Sequence, residues 1–245
     1  MTDLQGRVAI VTGSSSGIGE AVARNLSLAG ANVVVNSSTS VSEGQRVAAA
    51  LPTDAIYIQA DIANPHQCQG LVDQALNRFA RLDIVVNNAG WTTHVDHTDL
   101  DGLTDDILRK TFEVNVFGTW WVTKAAMPHL LDSPDASVTT VTSVAGIRPV
   151  GSSIAYSMSK AALNHLTLLL AKSFGPVRVN AVAPGLVATP WTEDWDAMHE
   201  FVAAKAPVGR SATPDEVAAA VMALVTNTYA TGEVFVLDGG LTQAV

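Results

Sequence analysis

The sequence predicts an α/β fold built on a parallel sheet, and two patterns carry that expectation. Short apolar, β-branched runs alternate with helical stretches along all 245 residues. Such alternation gives βαβ units joined by right-handed crossovers. The first run, Arg7 to Thr12, leads straight into Gly13-Ser-Ser-Ser-Gly17-Ile-Gly19 and then a helical pattern. Composition fits a compact chain with a large core, since 48% of residues are hydrophobic and 15% charged. The length suits one large domain, residues 1–245, and no linker, repeat or low-complexity segment divides it.

Several functional classes are excluded early. A net charge of −9 opposes binding to nucleic acid or to an anionic membrane. The single Cys68 rules out an internal disulfide framework and suits a reducing compartment. Neither a basic n-region followed by an apolar stretch nor an apolar run of spanning length is present, so the expectation is a soluble cytoplasmic protein.

Taken in order, the first strand ends at Gly13 and a helix runs from Glu20 to Ala29, closed by Gly30. A strand, a glycine-rich turn and a helix N-terminus form a phosphate cradle, because glycine permits tight turning and free N–H groups face the anion. A second strand, Ala31 to Asn36, ends in Ser37-Ser38-Thr39-Ser40, where dinucleotide folds read the adenosine ribose. No acid stands there, which disfavours NAD, and no arginine stands there or in the glycine loop. Serine hydroxyls can donate to a phosphate, so NADP is favoured over NAD, with both left open.

Val41 to Leu51 reads as a helix, Ala55 to Ala60 as a strand leading to Asp61 and Ile62, and His66 to Ala80 as a helix. Leu82 to Asn87 is a fourth strand running into Asn88-Ala89-Gly90. Gly13, Ser37, Asp61 and Asn88 to Gly90 thus fall at strand carboxyl ends, where parallel sheets bind ligands. The polar loop from Trp91 to Leu103 holds His94-x-x-His97 beside carboxylates, but it lacks the usual zinc spacing and reads as a solvated or substrate-facing loop. Asp105 to Leu131 reads as one long helix, with Asn115 a poor helix former in its middle.

Ala136 to Thr142 is a fifth strand with Ser143 at its end. The helix that follows carries Tyr156 and Lys160 and ends near Phe174. Residues i and i+4 share a helix face. At ~5 Å and an effective dielectric of ~20, the ammonium would favour the phenolate by roughly 3 kcal/mol, moving a tyrosine from ~10 towards ~8. Such a group can transfer protons near neutral pH. Taken alone, the pair reads more readily as a half-buried tyrosine beside an exposed lysine; its neighbours overturn that. Val177 to Ala183 is a sixth strand leading to Pro184 and Gly185. The stretch from Pro190 to Pro207, rich in Trp and Met, reads as a mobile flap over the site. Pro214 to Val225 is a helix, and the segment from Gly232 to Gly240 holds a seventh strand.

Together these features resemble the short-chain dehydrogenase/reductase family over nearly the whole chain. The resemblance rests on Thr12-Gly13-x-x-x-Gly17-Ile-Gly19, Asp61, Asn87-Asn88-Ala89-Gly90, Asn115-Val-x-Gly118, Ser143, Tyr156-x-x-x-Lys160, Pro184-Gly185 with Thr189, and Asp238-Gly239-Gly240. It implies a single-domain Rossmann-type doubly wound fold, a seven-stranded parallel sheet with helices on both faces, and NAD(P)-dependent interconversion of a secondary alcohol and a ketone. By the same resemblance Tyr156 is the general acid/base, Lys160 lowers its pKa and binds the nicotinamide ribose, Ser143 holds the substrate oxygen, and Asn115 positions water in a proton relay. Gly13, Ser15, Ser16, Gly17, Ile18 and Gly19 would hold the pyrophosphate. Ser37 and Ser38 would meet the ribose, and Asp61 and Ile62 the adenine. Asn88, Ala89 and Gly90 would line the groove, with Pro184, Gly185, Val187 and Thr189 near the nicotinamide.

The substrate is expected to be a small carbonyl or alcohol compound, with no cation evidently waiting for a carboxylate; Trp91, Trp191 and Trp195 read equally as an apolar rim of the pocket or as packing for the flap or a subunit contact. The resemblance also implies a homotetramer, or a homodimer, through the helices of Asn115 and Tyr156, where Trp120, Trp121 and Leu166 to Leu170 would suit a contact. Two alternatives are a non-catalytic NAD(P)-binding sensor or scaffold and a tight-binding epimerase or dehydratase. The complete Asn115, Ser143, Tyr156 and Lys160 set argues against the first, and the chain length against the second.

Overall fold

A computed structural model describes residues 4–244. Seven parallel strands form one sheet in the order β3-β2-β1-β4-β5-β6-β7. They are β1 (Val8–Val11), β2 (Asn32–Ser37), β3 (Ala55–Gln59), β4 (Ile84–Asn87), β5 (Ser137–Val141), β6 (Arg178–Pro184) and β7 (Val234–Leu237). The order reverses between β1 and β4, so a crevice opens beyond their carboxyl ends.

The sheet is covered on both faces, and its central strands β1, β4 and β5 are buried at every position. Side chains alternate across a strand. Ala9 and Val11 therefore pack with α1 (Gly17–Leu28) and the penultimate helix, while Val8 and Ile10 face the other layer. The first layer also holds Val217, Val221 and Leu224 of that helix, Pro214–Thr226. The second is built from α3 (Pro65–Phe79), which follows α2 (Val41–Ala50), and from α5 (Thr119–Leu131), which follows α4 (Asp105–Phe112). The helix of Tyr156 is α6 (Ile154–Ser173); α7 (Asp196–Lys205), α8 (Pro214–Thr226) and α9 (Leu241–Ala244) complete the set.

Three elements differ from the sequence reading. Helix α1 begins at Gly17 rather than Glu20, so the glycine turn itself supplies the helix N-terminus. The stretch 105–131 is not one regular helix: residues Glu113–Gly118 form a π-helical turn between α4 and α5. The stretch 190–207, expected as a flap, is largely ordered structure, a 3₁₀ turn (Pro190–Thr192) followed by α7. Its apolar positions Trp195, Met198 and Val202 recur at helical spacing, a signal obscured by the acidic residues between them.

Candidate active site

The strand carboxyl ends open into one cavity of about 1270 Å³. Pockets for a single drug-sized ligand run to ~1,000 Å³, so this one has room for more than one molecule. One end is the glycine turn. Gly13 has φ +62°, and a Cβ there would lie 2.8 Å from the Ala89 Cα. The two strand ends therefore approach closely only because the side chain is missing. Thr12 fastens them: its Oγ1 accepts from the Asn88 N–H at 3.0 Å and the Ala89 N–H at 3.1 Å. The Asn88 side chain braces the turn from the same side, its Nδ2 donating to the carbonyls of Thr12 and Gly13 at 3.0 and 2.9 Å.

At the α1 N-terminus Ser16 is extended and its side chain makes no capping hydrogen bond. The first N–H groups of α1 are thus left for an anion, which is the fit expected for a pyrophosphate. Gly13, Ser15, Ser16, Gly17 and Ile18 line the cavity, as do Ser37, Ser38, Asp61, Ile62, Asn88, Ala89 and Gly90. Gly19 does not; it is buried behind the turn, where a Cβ would clash with the Gly13 carbonyl. Ser37 reaches the wall, but its hydroxyl is already engaged, donating to the Ser40 carbonyl at 3.1 Å and paired with the Tyr57 hydroxyl at 2.9 Å. Asp61 Oδ1 accepts from the Ala63 N–H at 2.9 Å.

At the other end stand Ser143, Tyr156 and Lys160, with Pro184, Gly185, Val187 and Thr189 beside them. Ser143 sits where β5 gives way to a 3₁₀ turn, and its Oγ accepts from the Ala145 N–H at 3.1 Å. Tyr156 is placed by the Ser153 cap of α6, whose Oγ accepts from the Tyr156 N–H at 3.1 Å. Lys160 is 4% exposed and its Nζ donates to the Val141 carbonyl at 2.9 Å. Burial draws this ammonium down to about 8 from its ordinary 10.5. Burial also pushes the Tyr156 phenol up to about 12, with the Ser143 hydroxyl pulling the other way. The expected lowering of Tyr156 by Lys160 is therefore not found in the chain itself. Desolvation disfavours charge on both groups, and the lysine hydrogen-bonds a backbone carbonyl, with its Nζ 5.5 Å from the centre of the tyrosine ring.

Asn115 does not line the cavity; it is fully buried behind it, in the π-helical turn. Its Oδ1 accepts from the Trp91 N–H at 2.7 Å, and its Nδ2 donates to the Trp91 carbonyl and to the Ser159 Oγ, each at 3.0 Å. The side chain thus joins the loop after β4 to the helix of Tyr156. Single π turns recur at functional sites.

Sequence reasoning missed four residues here. Lys110 of α4 lines the cavity, with its ammonium 4.3 Å from the centre of the Trp91 ring, so a cation does stand near the substrate end. Ser152 and Thr92 pair through their hydroxyls at 2.6 Å and tie the two loops of that end together. His199 of α7 sits with Nε2 3.0 Å from the Thr192 carbonyl and Nδ1 2.7 Å from the Ser211 hydroxyl, pinning the helix to the turn beneath it. None carries a local sequence signal, because each depends on contact between distant segments.

The family model described as enoyl-(acyl carrier protein) reductase matches residues 13–242. A Streptomyces violaceoruber protein designated ketoacyl reductase 2 of the granaticin polyketide synthase is 50% identical over 237 residues, 95% of each chain. The 3-oxoacyl-[acyl-carrier-protein] reductase of a Synechocystis species is 36% identical, covering 99% of this chain and 100% of its own. A Burkholderia cenocepacia short chain dehydrogenase solved with NADP superposes with a TM-score of 0.91 at 34% identity, over 98% of this chain and 99% of its own. The 3-ketoacyl-(acyl-carrier-protein) reductase of Brucella melitensis, solved with NADH, gives 0.92 at 29% identity, over 98% and 100%. Sheet order, cradle and relatives agree on the class, an NAD(P)-dependent oxidoreductase acting on CH–OH donors. Within that class the chain belongs to the short-chain dehydrogenase/reductase family.

Proposed function

We propose that this protein is a single-domain reductase that interconverts a ketone and a secondary alcohol, with β-ketoacyl-type compounds among its substrates. The observation that carries the reading is the gathering of Ser143, Tyr156 and Lys160 on one wall of a cavity whose other end is an uncapped glycine cradle. NAD(P), when bound there, exchanges a hydride with the substrate carbon. The Ser143 hydroxyl donates to the substrate oxygen and holds it against the Tyr156 hydroxyl, an electrostatic task suited to a fixed donor. In reduction Tyr156 gives its proton to that oxygen; in oxidation it takes one back. Lys160 lies behind, able to take or give a proton because burial has brought it to about 8. Asn115 acts at one remove, positioning the Trp91 backbone and Ser159 and serving a water relay towards Lys160.

Ser37 to Ser40 present no carboxylate to a ribose 2′-phosphate, which favours NADP over NAD. The exposed apolar residues Phe117, Trp120, Met158, Leu168 and Leu169 lie on the π turn, α5 and α6, and suit a homotetramer or homodimer contact. Leu170 is buried in the core, and Trp121 is partly buried against it. Among the described residues no helix is long and apolar enough to cross a membrane. Cys68 is buried, with its thiol pushed up to about 12. A cytoplasmic location suits that inert thiol.

The test is a titration with NADPH and NADH followed by a ketone and alcohol panel read by nicotinamide absorbance. Turnover with tighter NADPH binding supports the reading. Cofactor binding without turnover on any ketone favours a sensor, a role for which no specific feature of the cleft speaks.

A further inference from the structure

We infer that the substrate end of the cleft is built to grip a flat, fused-ring aromatic ketone, with Trp191 as the residue that selects it. The inference rests on the ketone-reducing reading above and names its substrate class. Trp191, Met198 and Phe201 are 51, 44 and 46% exposed, and all three come from the segment 190–205 and line the cavity. Large apolar side chains scattered singly over a surface need no explanation, but a contiguous set facing a cleft marks a binding wall. Trp195 and Val202 stand on the same wall, and Trp91, Val144 and Val150 contribute from the loops after β4 and β5.

Trp191 reaches the reacting groups. A Cβ placed on Gly90 would lie 3.9 Å from Trp191 Cη2, 3.8 Å from Lys160 Nζ and 3.4 Å from Asn115 Oδ1. The tip of the indole therefore stands at the Gly90 side of the cavity, about as near to that position as the Lys160 ammonium. Trp91 follows Gly90 directly, its backbone held by Asn115 and its ring beside the Lys110 ammonium. Trp91 and Trp191 thus both line the cavity that holds Ser143, Tyr156 and Lys160.

The wall is also held in place. Thr192 Oγ1 donates to the Val187 carbonyl at 2.6 Å and accepts from the Thr189 N–H at 3.2 Å, while His199 meets the Thr192 carbonyl. A fixed wall carrying Trp191, Trp195 and Phe201 favours a flat π surface, which can stack on an indole, over a linear chain that must lose rotational freedom to lie there. The ketone oxygen then points to Ser143 and Tyr156 with the rings along Trp191.

The test compares three ketones of equal carbon number: 2-acetonaphthone, its fully saturated bicyclic counterpart, and 2-dodecanone. Each is measured twice with wild type and Trp191→Ala, by NADPH turnover and by calorimetric binding in the presence of NADP. Wild type should prefer 2-acetonaphthone over both others by about tenfold in kcat/KM and in affinity. Trp191→Ala should remove that preference mainly through KM, and Trp191→Phe should restore much of it. Equal or better handling of 2-dodecanone, or an equal loss for all three ketones in Trp191→Ala, overturns the proposal. If no ketone is turned over, the reductase reading fails, and the calorimetric ranking still decides the aromatic grip.

Discussion

Asn115 and Trp91 are joined by a reciprocal pair of hydrogen bonds, Trp91 N–H to Oδ1 at 2.7 Å and Nδ2 to the Trp91 carbonyl at 3.0 Å. A carboxamide is matched to one residue's donor and acceptor as a neighbouring strand would be. The third bond, from Nδ2 to Ser159, fixes the spacing between this loop and the helix of Tyr156. Replacing Asn115 by Leu leaves the Trp91 backbone groups and Ser159 without these partners. Unpaired buried groups cost ~1–3 kcal/mol each. A loss of at least about 2 kcal/mol is expected, lowering Tm by roughly 4–8 °C. Scanning calorimetry checks this. Turnover should fall further than the loss of folded protein explains, because the loop and α6 lose their common brace.

Gly13 approaches Ala89 more closely than any other side chain would permit. Gly13→Ala places its Cβ 2.8 Å from the Ala89 Cα and forces φ +62° on a residue that resists it. Cofactor affinity should fall about a hundredfold, ~2.7 kcal/mol, while circular dichroism shows the fold retained. Fluorescence titration with NADPH reads the change. Unaltered affinity would mean that the glycine turn is not the phosphate site.

The depressed Lys160 makes stability depend on pH with a definite sign. Between about 8 and its ordinary 10.5, the unfolded chain holds this proton and the folded chain does not. Stability from this lysine therefore rises with pH across that window, and is lost as pH falls through about 8. The slope is at most ~1.4 kcal/mol per pH unit. Lys160→Met lacks it, so the stability advantage of the variant over wild type should shrink from pH 8 to pH 10 in urea unfolding. A difference that stays constant over that range would show that the lysine is not desolvated.

How much of this was readable from residues alone follows from where each signal lies. Buried parallel strands write continuous apolar runs, so Val8–Val11 and Ile84–Asn87 announce themselves, and the glycine spacing marks the turn between strand and helix. The π turn at Asn115 leaves no such mark. Its apolar pattern is that of any helix, and the partner that the asparagine serves, Trp91, lies 24 residues away. The ionisation of Tyr156 is hidden for a related reason. Spacing along α6 places the lysine near the phenol, whereas the burial that pushes the phenol up depends on how distant segments pack around it.

The proposed association through α5 and α6 would cover Leu168 and Leu169, which are 44 and 50% exposed on α6. Light scattering at micromolar concentration should give a dimer or tetramer mass for wild type. Leu169→Glu, which puts a charge on that face, should give a smaller assembly. A monomer mass for wild type removes this contact from the account.

The central claim is that Tyr156 exchanges the proton with the substrate oxygen, and Tyr156→Phe tests it most directly. The ring and its packing remain, and only the hydroxyl is lost. With a ketone that wild type reduces, nicotinamide absorbance should show kcat falling about 10²–10⁴-fold, with NADPH affinity within a few-fold of wild type. If Tyr156→Phe turns over within tenfold of wild type while remaining folded and cofactor-bound, the proton comes from elsewhere and the assignment is wrong.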